Sequence, residues 1–259
     1  MKTKCALAAL LLATAGCADS DETSELARSS TTSGASSPTT SSPEPTGAPE
    51  LEDGPVTPGR YRFTIPIPTE CGEGDPIGCP EESDPPGPLD LEVTVPDGWQ
   101  HWREFVLLTP DGDDSPTEDP DGAALVMGWT TFHVGLSSDP CLARNHQVPD
   151  VKVGPSVDDF VDAVQAQKAL DVTRPVDARV GGHRAQFFSL EAPADLSGCE
   201  EWRPWDPGFY AQGPSNIWDV WVVDVDGDRV LIVTDYFPGT PAETVAQLGE
   251  MVESIEFLP

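Results

Sequence analysis

Three groups of residues in this chain combine reactive types at close spacing, and each implies a different chemistry. Asp224, Asp226 and Asp228 alternate through "DVDGD", and clustered carboxylates are what a hard cation such as calcium requires. The helix–loop–helix calcium pattern needs its Gly at the sixth position, whereas Gly227 is fourth, and Asp-Gly between two β-rich runs is the usual hairpin turn. The turn is therefore the favoured reading, with the three aspartates kept as weak calcium candidates. Trp202, Trp205, Phe209 and Tyr210 fall together in a stretch rich in Pro and Gly. Aromatic faces in such a loop can stack on a sugar or clamp a lipid or peptide, which makes these four the ligand-binding candidates. The competing reading is that they close the core beside Cys199, since large aromatics normally contribute burial. Cys71, Cys79, Cys141 and Cys199 form the third group, an even number suited to two disulfides in an exported protein.

Signatures of catalysis do not emerge. His133 and His146 lie far apart, without a zinc-binding HExxH or paired Cys-x-x-Cys nearby, and His183 abuts a Gly-Gly turn. Gly135-Leu136-Ser137 continues into Ser138 and Asp139, so it is not a nucleophile elbow. The acidic run around Asp111, Asp113, Asp114 and Asp121 reads as a solvated loop. No catalytic residue and no cofactor is assigned.

The N-terminus carries an address. Lys2 and Lys4 precede an apolar segment from Ala6 to Ala15, followed by Gly16 and Cys17. This segment is too short for a permanent transmembrane helix and reads as an export signal, residues 1–16, removed on maturation. Its end, "TAGC", resembles the lipobox of bacterial lipoprotein signal peptides. The resemblance implies that Cys17 becomes the lipid-modified N-terminus, attaching the protein to the extracytoplasmic face of the cell membrane. Cys5 leaves with the signal, so the remaining four cysteines can pair. Of three connectivities, Cys71–Cys79 with Cys141–Cys199 is favoured, because the first two are near neighbours in one loop.

Composition then separates a tether from a domain. Between Ser29 and Pro49, 16 of 21 residues are Ser, Thr or Pro, with no aromatic or large aliphatic side chain. Such a stretch buries too little apolar surface to offset the entropy of ordering, so residues 17–57 are expected to form a disordered tether. As a flexible coil of about 40 residues it would reach on the order of 35 Å. The chain holds 14 basic and 45 acidic residues, a formal charge of −31. That surface repels phosphate backbones and anionic headgroups, which disfavours nucleic acid as a partner and leaves lipid to do the anchoring.

Residues 58–259 are long enough for a single domain with a substantial core. Strands are expected at Tyr61–Ile65, Leu89–Val95, Phe105–Leu108 and, as a longer central strand, Ala123–Leu136. Ser156 is the N-cap of a helix that buries Val157, Phe160, Val161 and Val164. Asp171–Arg179 and His183–Glu191 form a hairpin across Gly181-Gly182, and Ile217–Val225 and Arg229–Tyr236 form another across Asp226-Gly227. Thr240-Pro241-Ala242-Glu243 reads as a capping box opening a second helix with Val245, Leu248 and Val252 inward, and a short strand through Ile255 and Phe257 ends the chain. The order predicts an α+β domain, an antiparallel sheet with helices packed on it.

"VPDGW" at residues 95–99, the "DVDGDRVLIV" hairpin and the terminal "ESIEF" resemble the PsbP-like fold, and more narrowly actinobacterial lipoproteins of the LpqN type. The resemblance implies an antiparallel sheet flanked by helices and a non-catalytic binding or accessory role in the cell envelope. Its partner would be an envelope protein, glycan or lipid. The alternative is an envelope hydrolase acting on glycans through a carboxylate acid/base pair.

Overall fold

A computed structural model describes residues 47–65, 89–102, 106–109, 122–130, 135–141, 150–206 and 210–259. Residues 1–16, Cys17, Cys71, Cys79, Phe209, His133, His146 and the acidic run 111–121 lie outside the described residues, as does most of the expected tether.

The described residues form a mostly antiparallel, sheet-dominated fold with two helices. The strands are β1 (Gly54–Pro55), β2 (Gly59–Ile65), β3 (Leu89–Val95), β4 (Gln100–Trp102), β5 (Val106–Leu108), β6 (Ala123–Thr130), β7 (Gly135–Leu136) and β8 (Val151–Lys152). After helix α1 (Val157–Ala166) come β9 (Asp171–Val172), β10 (Val176–Val180), β11 (His183–Glu191), β12 (Trp205–Asp206), β13 (Ile217–Val225) and β14 (Asp228–Tyr236). Helix α2 (Ala242–Glu253) and β15 (Glu256–Phe257) complete the order. A nine-stranded sheet runs β1-β4-β5-β6-β14-β13-β11-β10, with β9 paired to the far end of β11. Two three-stranded sheets, β15-β3-β2 and β12-β7-β8, accompany it.

Alternation along the long strands separates two cores. Trp218, Val220 and Val222 of β13, with Leu231 and Val233 of β14, join one apolar cluster; it also holds Phe160, Val161 and Val164 of α1. Val223 and Val225, with Val230 and Ile232, join the other, which holds Leu248, Met251 and Val252 of α2 and the inner residues of β2 and β3. Successive side chains of a strand point to opposite faces, so β13 and β14 supply both clusters at once. Their near-continuous apolar sequence follows from that position.

Local chemistry sets the element ends. The Ser156 hydroxyl accepts from Asp159 N at 3.1 Å while Asp159 Oδ2 accepts from Ser156 N at 3.0 Å, a reciprocal cap that starts α1. Asp226 and Gly227 take φ of 54° and 100°, the positive values that a two-residue hairpin needs, and Asp224 accepts a hydrogen bond from Gly227 N. Arg229 in β14 is buried, donates through Nη1 to the carbonyls of Gly154 and Ser156, and lies 5.2 Å over the Phe160 ring. It thereby pins the hairpin to the start of α1.

Several expectations are corrected. The central strand does not run from Ala123 to Leu136: β6 ends at Thr130, and Gly135–Leu136 pair in a separate small sheet. The expected strand Asp171–Arg179 is divided into β9 and β10 around Pro175, which has no N–H for a ladder. Thr240 does not cap α2. Its Oγ1 accepts from Phe237 N and donates to the Gly122 carbonyl, leaving Pro241 as an N-cap without a side-chain bond. The folded chain also begins before Pro58. Arg62 N donates to Pro49 O at 2.7 Å, Val56 N donates to Trp99 O at 2.9 Å, and Gly54–Pro55 pair with β4.

Candidate functional site

The aromatic loop resolves into core and surface. Trp202 and Trp205 are 2% and 1% exposed, and both belong to the cluster that includes α1. Each meets Trp218 edge to face, at 5.7 and 5.4 Å between centroids, and Trp205 meets Phe160 at 5.6 Å. Their ring faces are used in packing, and this overturns their reading as loop-borne ligand contacts. Tyr210 is exposed and carries the Arg203 guanidinium 5.6 Å from its ring. A disulfide joins Cys141 to Cys199, with their Cα atoms 4.8 Å apart. Backbone bonds from Ser137 N to Pro204 O and from Arg203 N to Pro140 O hold the same two segments together.

Beneath these indoles lies a buried polar network. Asn216 Nδ2 donates to Asp235 Oδ1, and Trp218 Nε1 donates to Asp235 Oδ2 at 3.1 Å. Burial pushes the Asp235 carboxyl up to about 7, against the two hydrogen bonds that favour its charged form. The network is satisfied and enclosed, which suits a structural role.

Among the described residues no three His, Cys, Asp or Glu side chains converge as a metal site. Asp224 is spent on the turn, and the Asp228 carboxyl is raised by burial and by Asp224 and Asp226 beside it.

A cleft of about 340 Å³ opens instead where the chain enters the domain. One wall is the segment before β1, with Glu50, Leu51 and Asp53; the other is Arg62, Phe63 and Thr64 of β2; His101 of β4 completes it. Glu50 pairs with Arg62 as an isolated parallel bridge, and Gly54 sits opposite His101, so backbone pairing positions both walls. Arg62 forms an ion pair with Asp90, and Thr64 Oγ1 donates to the same carboxylate at 2.6 Å. These contacts hold Asp90 below the usual carboxylate range, the Thr64 hydroxyl bond first and the Arg62 bond second.

His101 is 7% exposed, and neither ring nitrogen has a hydrogen-bond partner. Its Nδ1 lies 3.4 Å from Asp53 Oδ1, and its ring meets Phe63 edge to face at 5.9 Å. Burial lowers its pKa, opposed by the Asp53 carboxylate and the Glu52 backbone. Both favour the protonated ring.

None of the cleft residues stood out in the sequence. Glu50 and Asp53 lie in the stretch read as tether, and Arg62 and Thr64 occupy ordinary alternating strand positions. The one available signal was a histidine between Trp99 and Trp102, inside an apolar neighbourhood. The chain matches no protein-family model and no curated protein.

Proposed function

We propose that this chain is a lipid-anchored, non-catalytic binding or accessory protein on the extracytoplasmic face of a bacterial cell membrane. The observation that carries the proposal is the Lys2-to-Cys17 sequence, in which a short apolar segment ends on a small-residue pair and a cysteine. A compact sheet domain with an open cleft supports the binding half of the reading. In its finer form the proposal makes the domain a helix-flanked, PsbP-like fold of the LpqN type. The helices of the described residues are not long and apolar enough to cross a membrane. Attachment through two or more acyl chains at Cys17 supplies the anchor. Detergent phase partitioning tests this. The full chain should enter the detergent phase and Cys17→Ala the aqueous phase, whereas membrane retention of Cys17→Ala in high salt would overturn the anchor.

A second reading, an envelope glycan hydrolase, is favoured by the presence of both Glu50 and Asp53 at the cleft. It requires the two carboxylates to flank a glycosidic bond at about 5–10 Å. Turnover of envelope glycans that is lost in Glu50→Gln would support it, and no turnover by the full chain would end it.

A further inference from the structure

We propose that the open end of the main sheet, across β10, β11 and β13, binds a neutral saccharide chain. Its sugar rings pack on Phe187 and Trp221, and its hydroxyls donate to Asp219. This rests on the reading of the domain as a binding module and assigns that module a ligand class.

Strand register gathers the residues. Val176 of β10, Phe187 of β11 and Trp221 of β13 stand side by side, and Ser189 stands opposite Asp219 in the next row of the same face. The Phe187 and Trp221 rings meet with centroids 4.9 Å apart. Asp219 and Trp221 are two positions apart on one strand, so the two rows lie about 7 Å from each other. Solvent reaches both: Val176 is 54% exposed, and Phe187, Trp221, Ser189 and Asp219 are half-buried. Neither apolar core includes Val176 or Phe187, although neighbouring residues of their strands join one. An apolar row left outside the core and bordered by polar groups is the form that interaction sites take.

The polar row selects the ligand. Asp219 Oδ1 accepts from the Ser189 hydroxyl, and Asp219 Oδ2 accepts from the Tyr236 hydroxyl at 3.1 Å. Burial, with Asp219 beside it, pushes the Tyr236 hydroxyl up to about 12, so it stays a donor at neutral pH. With both O–H groups spent, the row offers a newcomer only acceptors: the free lone pairs of the carboxylate and of the Ser189 oxygen. The ligand must therefore bring donors. Glu191 lies on the same face as Asp219, and two carboxylates disfavour a phosphate or carboxylate ligand. A pyranose meets both rows at once, with C–H groups against the aromatic rings and edge hydroxyls on the carboxylate. Adjacent strands lie about 4.8 Å apart, so Val176 to Trp221 spans about 10 Å, room for about two linked sugar rings. A cation gains much from an aromatic ring only when desolvated, so this open row favours the saccharide over an amine.

The test follows the indole N–H signals of Trp221 and Trp218 by nuclear magnetic resonance in the full chain. The probes are cellotriose, maltotriose and mannotriose, with tetramethylammonium as the cationic comparison. At least one trisaccharide should shift the Trp221 signal saturably. The signal of buried Trp218, whose Nε1 donates to Asn216 and Asp235, should stay in place and report that each variant is folded. Asp219→Asn should weaken the binding about tenfold, as loss of a charge-assisted bond does, and Phe187→Ala should weaken it as well. Unchanged affinity in both variants overturns the proposal. A saturable shift with tetramethylammonium and none with the sugars overturns the saccharide class and keeps the binding reading. Sugar-induced shifts confined to residues elsewhere overturn this face as the site and likewise keep that reading. No response anywhere to any probe overturns the proposal and counts against the binding reading too.

Discussion

The indole rings of Trp205 and Trp218 meet edge to face with centroids 5.4 Å apart, and both are buried. This contact joins the segment after Cys199 to the centre of the main sheet, so the aromatic loop is part of the domain's interior. Trp205→Ala should therefore cost about 3–5 kcal/mol of stability, as large-to-small changes of a buried aromatic do. Trp202→Ala should behave alike. Tyr210→Ala, at an exposed position, should stay within about 0.5 kcal/mol. Thermal melts of the three variants check this, and an unchanged melting temperature in Trp205→Ala would contradict the packing.

The Cys141–Cys199 bond closes a loop with a sequence separation of 58. In the chain-entropy model that closure is worth about 4 kcal/mol. Replacing both cysteines by Ala should lower the urea midpoint and steepen the transition, because the unfolded chain is no longer held compact by the cross-link. Peptide mapping under non-reducing conditions should recover Cys141 linked to Cys199. A link from either residue to Cys71 or Cys79 would contradict the structure.

Asp235 sets a pH dependence. Its carboxyl is raised to about 7 by burial, above its unfolded value, so the folded state holds the proton more tightly. The contribution to stability is complete below the unfolded pKa and declines as pH rises from about 4 to about 7, at a limiting slope near 1.4 kcal/mol per pH unit. His101 opposes this trend, because its pKa is lowered in the fold and its contribution improves as pH rises toward its unfolded value. The difference between the native chain and Asp235→Asn isolates the aspartate. The variant should gain relative stability steadily across that window, and parallel pH profiles would refute the assignment.

Arg229 should prove structural. Its guanidinium satisfies the Gly154 and Ser156 carbonyls and covers Phe160, while burial lowers its pKa to about 10. Arg229→Ala removes the donor to both carbonyls together with the cover over Phe160, and should cost about 3 kcal/mol. Chemical denaturation measures it, and a loss under about 0.5 kcal/mol, typical of a surface site, would argue against the tie.

Legibility in the sequence followed the range of the interaction. β3 was read to the residue, and both hairpins announced themselves through Gly181-Gly182 and Asp226-Gly227, because turn conformation is decided locally. The Ser156–Asp159 cap was legible for the same reason. Thr240 misled because a hydroxyl with two possible uses took the tertiary one, the Gly122 carbonyl. No Pro or Gly stands between Thr130 and Gly135, so nothing in the sequence marked the end of β6 before Gly135–Leu136 pair in another sheet. The cleft was illegible because Glu50, Arg62 and His101 meet only through strand pairing, and no spacing rule connects them.

Mass spectrometry of the mature N-terminus tests the central claim most directly. The account predicts a chain that begins at Cys17 and carries acyl groups, with residues 1–16 removed. A chain that retains Met1, or that carries Cys17 as an unmodified thiol inside a longer N-terminus, would contradict it.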